Sequence, residues 1–324
     1  MSGGHWESPR RALELVAAAL RADFSAKVRW RMRFDRSEHL ITIQDKYLLR
    51  GFAAKRNVRM APLLHVCDSA DDIPFKKLPD NCMIKASHGC GWNILRKNGR
   101  YFYFGDGAQL GTVLSDQAPR PRQREIIRLN QHDVLRSCER WLSKTYSTKE
   151  WAYSQMRPRI LIEELLVPAG KELFDYRLYT FDGEVAAINV GCPEYRRNKW
   201  NIFYRPDWTP IALTDYAEAL PEPPPSKPES LPIMIDAARR LGRGIDFVRV
   251  DFYETIHGCV LGEMTVYPDA GKKNTPTSCS AFNRWLGDQW QLAPKNAFHF
   301  RLYHVVDTLA RGIRRVVPAI KRRF

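Results

Sequence analysis

The 324-residue sequence predicts an α+β fold, and three observations carry that expectation. Two stretches, Phe174–Val190 and Val248–Val266, alternate in β-branched and aromatic residues about a tight turn, the pattern of antiparallel hairpins. Three others, Arg10–Phe24, Gln123–Lys144 and Phe298–Arg315, repeat apolar residues at helical spacing. On the second hairpin, Asp251 and Glu263 fall opposite each other if the strands are joined by Ile256 to Gly258, with Gly258 in the left-handed position of a bulged turn. Facing side chains on adjacent strands sit roughly 5 Å apart, so like charges there repel. A divalent cation gives such a pair its reason, because Mg²⁺ takes oxygen ligands, usually one or two carboxylates plus phosphates and water. Thr265 shares Glu263's face and offers a third oxygen. A solvated hairpin with two unpaired acids is the plainer alternative.

In chain order, Arg10–Phe24 places Leu13, Val16, Ala17 and Leu20 on one helical stripe. Residues 36–66 mix short helices and a strand, over Leu40–Ile43, Asp45–Arg50 and Met60–Val66. A polar loop with Asp68, Ser69, Asp71 and Asp72 follows. Cys82–Ala86 reads as a strand, Ile94 and Leu95 as an apolar pair, Asn98-Gly99 as a turn and Tyr101–Phe104 as another strand. Gln123–Lys144 is expected to be helical throughout, with Ile126, Ile127, Leu129, Val134, Leu135 and Trp141 as its apolar residues. Arg159–Leu166 begins as a buried strand and ends acidic. The first hairpin turns at Asp182-Gly183, and Asn201–Tyr204 continues its sheet. Pro221–Pro228 is proline-rich and extended, a surface connection. Leu231–Leu241 is a helix feeding the acidic hairpin, and Phe298–Arg315 is a C-terminal helix. There is no internal repeat.

Apolar content of 44% and charged content of 27% suit a folded globular chain. No apolar run reaches the roughly 18 residues of a membrane span. The apolar residues of Ala12–Leu20 are too interrupted for a signal peptide, and Ser2 stands where myristoylation needs glycine. Seven dispersed cysteines with no CxxC pair argue for a reducing compartment and against both a zinc site and a disulfide framework. A cytoplasmic location is therefore expected. The formal charge of +15 concentrates anionic partners, whether nucleotide phosphates, acidic polysaccharides, nucleic acid or anionic membrane. No nucleic-acid-reading motif is present, so nucleic acid is set aside. Arg311–Phe324 interleaves six basic residues with Ile313, Val316, Val317 and Ile320, a stretch suited either to weak contact with an anionic membrane surface or to a solvated tail.

Lys85 ends its strand before the turn Ser87-His88-Gly89-Cys90-Gly91. Glycines let backbone N–H groups approach phosphate oxygens, and an ammonium neutralises them. This is not a Walker loop, since GxxxxGK[ST] is absent. His88 either contacts phosphate or is a hydrogen-bonded loop histidine, and Cys90 reads as a packing residue. A further cluster is Glu163-Glu164-Leu165-Leu166, followed by Gly170-Lys171-Glu172. An acid at the end of an apolar strand can accept from a ribose hydroxyl or an adenine amine, and the backbone beyond it can read the adenine edge. Arg177, Arg196, Arg197 and Lys199, with Arg249 on the face of the acid pair, suit the charge spread over a transferred γ-phosphoryl group. Each cluster taken alone also reads as a solvated turn, strand end or charge run.

The order of these pieces — Lys46, Lys85, glycine loop, acidic strand end, basic hairpin, Asp251, Glu263 — resembles the ATP-grasp superfamily. More narrowly the chain resembles its TupA-like branch, named for teichuronopeptide synthesis. The stretches that carry the likeness are Asp45-Lys46-Tyr47, Leu78-Pro79, Ile84–Gly91 and Pro158–Glu164. Asp175-Tyr176-Arg177 with Phe181-Asp182-Gly183, Arg249–Tyr253, Gly262–Thr265 and Ala270-Gly271 complete it, over about residues 45 to 290. The resemblance implies two antiparallel-sheet subdomains clasping ATP, with a short helical N-terminal region and a C-terminal helix. The implied division is residues 1–80, a smaller lid subdomain over 81–165, and a larger subdomain over 166–324 that bears the metal hairpin.

Carried over residue by residue, the resemblance implies Lys46 and Lys85 at the ATP phosphates, with the Ser87, His88, Gly89 and Gly91 loop. It implies Glu164 and Leu166 at the adenine pocket, Glu172 at the ribose, and Asp251 and Glu263 as the Mg²⁺ ligands; Glu163 is expected among the cofactor-binding residues and Thr265 as a third oxygen at the metal. Arg177, Lys199 and Arg249 would serve the reacting phosphoryl group. Two departures stand out. Thr265 replaces the asparagine of a Glu-x-Asn pattern, and Arg177 stands where family members often carry lysine. The implied reaction is ATP-dependent joining of a carboxylate to an amine through an acyl-phosphate, by family analogy a uronic-acid saccharide and an amino acid. A kinase-like phosphotransferase, a metal-dependent glycosyltransferase and a binding protein without turnover are the alternatives.

Overall fold

Strand pairing organises the computed structural model, which describes residues 23–105, 125–170, 173–191, 201–213, 224–272 and 280–306 (side chains of 104, 105, 125, 126 and 201 excepted). The chain divides into two compact units. One holds residues 36–212 and 217–266, the other residues 1–35, 213–216 and 267–324.

The first unit contains two six-stranded sheets. One is built from β1 (Leu63–Cys67), β2 (Cys82–Ala86), β3 (Asn93–Lys97), β4 (Arg100–Gly105), β5 (Glu125–Leu129) and β6 (Ile160–Glu164), in the order β1-β6-β2-β3-β4-β5. The other is built from β7 (Asp175–Phe181), β8 (Glu184–Gly191), β9 (Asn201–Tyr204), β10 (Pro210–Ile211), β11 (Val248–Thr255) and β12 (Gly258–Thr265), in the order β10-β9-β8-β7-β11-β12. Every pairing between these strands is antiparallel.

Strand alternation gives each sheet one apolar face and one chemical face. In the first sheet Ile84, Tyr103 and Ile162 pack against Val134, Cys138 and Trp141 of a helix at Gln131–Leu142. Met83, Lys85, Leu161 and Glu163 belong to the opposite parity, so Lys85 and Glu163 share the other face. In the second sheet one rung runs Ile188–Leu178–Val250–Met264, all fully buried. The next rung, on the other face, runs Asn189–Arg177–Asp251–Glu263. Burying one large aliphatic side chain contributes about 1.5–3 kcal/mol, so the apolar rung sets the register that lines up the polar one. The helix Leu231–Gly242, with Met234, Ala238 and Leu241 buried, packs against β7, β8 and β11.

Local patterning misreads two segments. The stretch 123–144 is β5 followed by a helix, not one helix, and the break falls at Asn130. Asn130 Oδ1 accepts from the Asp133 N–H at 2.9 Å, while Asp133 Oδ2 accepts from the Asn130 N–H at 3.1 Å, a reciprocal capping box that starts the helix there. Pairing of Ile127 with Tyr103 and of Leu129 with Tyr101 then claims the preceding residues for the sheet, a non-local effect the periodicity does not contain. Leu40–Ile43 falls within a short helix, His39–Gln44, and the strand of that region is β1. The expected helix Arg10–Phe24 lies outside the described residues apart from its end.

In the second unit, the helix Phe24–Phe34 meets another at Ser280–Gln289 and a third over 294–306. Ala26, Trp30 and Phe300 form its small core. The buried Lys27 ammonium donates to the carbonyls of Gly287 and Trp290, satisfying orphan acceptors at the end of the Ser280–Gln289 helix.

Candidate active site

The phosphate-loop side of the site is built on β2 and the turn after it. The Lys46 backbone N–H donates to the Ser87 carbonyl at 3.1 Å, and its Nζ donates to the Gly89 carbonyl at 2.7 Å. The loop is packed from beneath by aromatic rings. Trp92 stacks on Trp141, with centroids 6.2 Å apart and planes 3° apart, and meets His88 and Tyr146 edge-on. Gly89 faces this ring so closely that a Cβ there would lie 2.5 Å from Trp92, so only glycine fits. His88 is buried, with Nε2 2.8 Å from the Trp141 carbonyl. Burial lowers its pKa, assisted by the nearby Lys46 charge, and keeps the ring neutral at pH 7. Ser87 Oγ is buried with no hydrogen-bond partner, and its hydroxyl is free to serve a ligand.

Lys85 Nζ contacts Glu163 Oε2 at 2.7 Å, and Arg50 Nη2 contacts the other oxygen, Oε1, at 2.6 Å. Burial works to raise the Glu163 pKa, but Lys85 and Arg50 together outweigh it and leave it lowered. Glu163 is thus an ionised bridge between two cations, with both oxygens engaged. Glu164, next along, is exposed, and Leu166 is half-buried. Arg50 escaped sequence reading; its spacing of four residues from Lys46, into the helix Leu48–Ala54, is the signal that points to it.

The acid pair lies on β11 and β12, and Asp251 is directly paired with Glu263. The route to that register differs from the expected one. The connection is tighter, with Thr255 paired to Gly258, whose φ is +90°, and a bulge then skips Gly262 so that Phe252 pairs with Leu261. The two changes cancel, and the acids still face each other. Gly262 permits the bulge: a Cβ there would sit 2.6 Å from the Tyr253 ring.

Cations frame the acids. Arg249 grips Asp251 with both oxygens, Nε to Oδ1 at 2.8 Å and Nη2 to Oδ2 at 2.6 Å, and reaches Thr265 Oγ1 at 3.3 Å and Glu263 Oε1 at 3.7 Å. Lys46 Nζ lies 3.4 Å from Glu263 Oε2, joining the loop to the hairpin. Arg177 is held by Asp175 at 2.7 Å and by Asn189 Oδ1 at 3.2 Å. Burial pushes the Asp251 carboxyl up to about 7 against the pull of Arg249, with repulsion from Asp175 and Glu263 adding to it. Burial also acts to raise Glu263, but Lys46 and Arg249 leave it lowered. The Lys46 ammonium, which burial alone would lower, is raised by Glu263. Lys199 and Glu172 lie outside the described residues. Asn189 and Asp175, absent from the expected set, sit on Arg177 because they share its face.

A hard divalent cation fits this donor set. No group of three or more His, Cys, Asp or Glu side chains among the described residues could cage an ion alone. The two facing carboxylates, with the Thr265 hydroxyl beside Glu263, match the oxygen donors of a Mg²⁺ site completed by phosphate oxygens and water. Arg249 is the group with which a cation would share Asp251.

A TupA-like ATP-grasp family model matches residues 26–291. No curated protein matches the chain. Among solved structures, the ATP-grasp ligase PsnB complexed with a minimal precursor is 12% identical with a TM-score of 0.38, covering 79% of this chain and 61% of that one. The ADP complex of PurK, N5-carboxyaminoimidazole ribonucleotide synthetase, is 10% identical with a TM-score of 0.42, covering 77% and 51%. The D-alanine–D-alanine ligase from Bacillus anthracis, complexed with ATP, is 13% identical with a TM-score of 0.38, covering 81% and 67%. The chain therefore spans less than two thirds of the first two. At these identities and scores the likeness says nothing of substrate.

Proposed function

The chain belongs to the TupA-like ATP-grasp family, and on that premise we propose that it is an ATP- and Mg²⁺-dependent ligase joining a carboxylate to an amine. The observation that carries the reading is the Lys46–Glu263 contact at 3.4 Å, which brings the phosphate loop and the acid pair into one site. Asp251 and Glu263 would hold Mg²⁺, with Thr265 beside them; the ion supplies charge neutralisation at the triphosphate. Lys46 and Lys85 face the ATP phosphates, and the Ser87–Gly91 loop offers a hydroxyl and backbone donors. Arg177, Arg249 and Lys199 stabilise charge on the γ-phosphoryl oxygens as it transfers. Glu164, Leu166 and Glu172 are proposed at the adenine and ribose, with Glu163 acting through its grip on Lys85.

In the first step a substrate carboxylate oxygen attacks the γ-phosphorus and ADP leaves, giving an acyl-phosphate. An amine then attacks the acyl carbon, phosphate departs, and the amine proton passes to solvent or phosphate. The protein orients the reactants and stabilises charge, with no covalent enzyme intermediate. An acidic saccharide of the uronic type, joined to an amino acid, is the proposed substrate pair, and the net charge of +15 suits an anionic acceptor. The test is ADP and phosphate release over a panel of acids and amines, with products weighed by mass spectrometry. Loss of water on joining supports the ligase; gain of a phosphate with no amide formed would replace it with a phosphotransferase.

A further inference from the structure

Arg50 has no part in the reaction as proposed, yet one carboxylate ties it to the phosphate-binding side. It sits on the short helix Leu48–Ala54, whose start is held by Asp45 Oδ1 accepting from the Tyr47 and Leu48 N–H groups at 2.7 and 3.3 Å. Its guanidinium works as a two-pronged fork: Nη1 donates to the Ala61 carbonyl at 2.8 Å and Nη2 to Glu163 Oε1 at 2.6 Å. The Ala61-Pro62 segment in turn lies beside β6, where the Pro62 carbonyl accepts from the Glu164 N–H at 3.0 Å. The Glu163 carboxylate is thereby fixed from one side, which leaves Oε2 for Lys85 at 2.7 Å. Lys85 is the most open of the three side chains, 21% exposed against 16% for Arg50 and 5% for Glu163. An ammonium has three donors, and among the described residues Lys85 uses only the one that meets Glu163.

The charge count gives the arrangement its sense. Lys85 and Glu163 alone would be a neutral pair with little net attraction for a phosphate. Arg50 makes it two cations to one anion, a net +1, in a largely buried setting where charge is weakly screened. We propose that Arg50 is a positioning residue for the nucleotide: it neutralises and orients Glu163, so that Lys85 meets the ATP phosphates as an available cation while staying anchored. This role rests on the ATP-binding function proposed above and acts on the same site through another residue. Without Arg50, Glu163 would claim Lys85 with both oxygens and set an unshared negative charge beside an anionic ligand. An Arg50 that merely ties residue 61 to the helix makes no such demand on Glu163.

The test is calorimetric titration of the full chain with Mg·ATP over a series of salt concentrations. Arg50→Met should weaken binding by at least about tenfold, the loss of one hydrogen-bonded charge. Its affinity should also fall less steeply with added salt than that of the wild type, because less net charge attracts the ligand. Adding Glu163→Gln to Arg50→Met removes the unshared carboxylate, and should recover most of the affinity and the wild-type salt slope. If Arg50→Met does not fold by circular dichroism, Arg50→Gln, which can still donate to Glu163, takes its place with the same expectations. An unchanged salt slope, or no recovery on adding Glu163→Gln, overturns the proposal and leaves Arg50 a structural tie. Undiminished affinity in the Arg50 variant, when Lys85→Ala has lost affinity, overturns the proposal alone. A wild-type chain that binds no Mg·ATP, or a Lys85→Ala variant that binds it normally, overturns the phosphate-binding reading together with it.

Discussion

Asp251 is paired twice over, with Arg249 gripping both oxygens and Glu263 facing it across the strands. Asp251→Asn and Glu263→Gln keep the size of the side chain but remove the anion and exchange one acceptor oxygen for an amide donor. Each should abolish Mg²⁺-dependent ATP turnover while leaving the melting profile folded; normal turnover in both would remove the metal assignment. Glu163 makes a different prediction. Its pKa lies below the ordinary 4.5, so the stabilisation it provides is present above that value and lost as pH falls through the folded pKa. Glu163→Gln leaves Lys85 and Arg50 unpaired, and stability at pH 7 should drop by about 3 kcal/mol. Denaturant titrations should show the gap to wild type closing as pH falls from 4.5 through the lowered folded pKa. The residues of the acid pair were legible because like charges on facing strands demand an explanation. Glu163's role was not, because an acid at a strand end looks alike whether it meets a ribose or two buried cations.

The acidic hairpin carries the clearest prediction for an element. Its register depends on Gly262, where the bulge restores the pairing that the tight turn at Gly258 would otherwise displace. Gly262→Ala drives a methyl into the Tyr253 ring, and should cost about 1–3 kcal/mol by overpacking. Because the bulge aligns Glu263 with Asp251, turnover should fall well beyond what the lower denaturation midpoint explains. Turnover unchanged in the folded variant would show that register does not depend on the bulge. Alternation alone revealed both strands and the facing acids, yet it counted a three-residue connection where the chain uses two residues and a bulge. Alternation fixes parity, and two compensating one-residue changes leave parity intact. The β5 stretch was illegible for the converse reason: its strand state comes from pairing with β4, which is not written in its own residues.

Across the larger unit, the fold brings a lysine from before β1, a loop from the first sheet and a hairpin from the second to one place. Gln44 reinforces the junction, donating to Tyr153 Oη at 2.8 Å while accepting from the Val266 N–H at 2.9 Å. A ligand that spans both sheets should therefore stabilise the whole unit. Mg·ATP at a hundred times its Kd adds about 2.7 kcal/mol, a melting shift of several degrees. Scanning calorimetry should register it, and EDTA or Lys85→Ala should erase it; the same shift in Lys85→Ala would place the nucleotide elsewhere. Motif order along the chain was enough to foresee this meeting, since each cluster alone reads as solvent-facing charge. Sequence patterning could not foresee that Lys46 touches both the loop and an acid, because that contact exists only after the sheets close on each other.

The stacked indoles under the glycine loop have a spectroscopic consequence. Trp92 and Trp141 lie in parallel planes, and a neutral imidazole borders Trp92 within the very turn expected to receive phosphate. Nucleotide arrival should therefore alter the intrinsic emission of the protein, and Trp92→Phe should silence most of that signal. The chain would carry a built-in optical readout of its own occupancy, one that titration in a fluorimeter can use without any label.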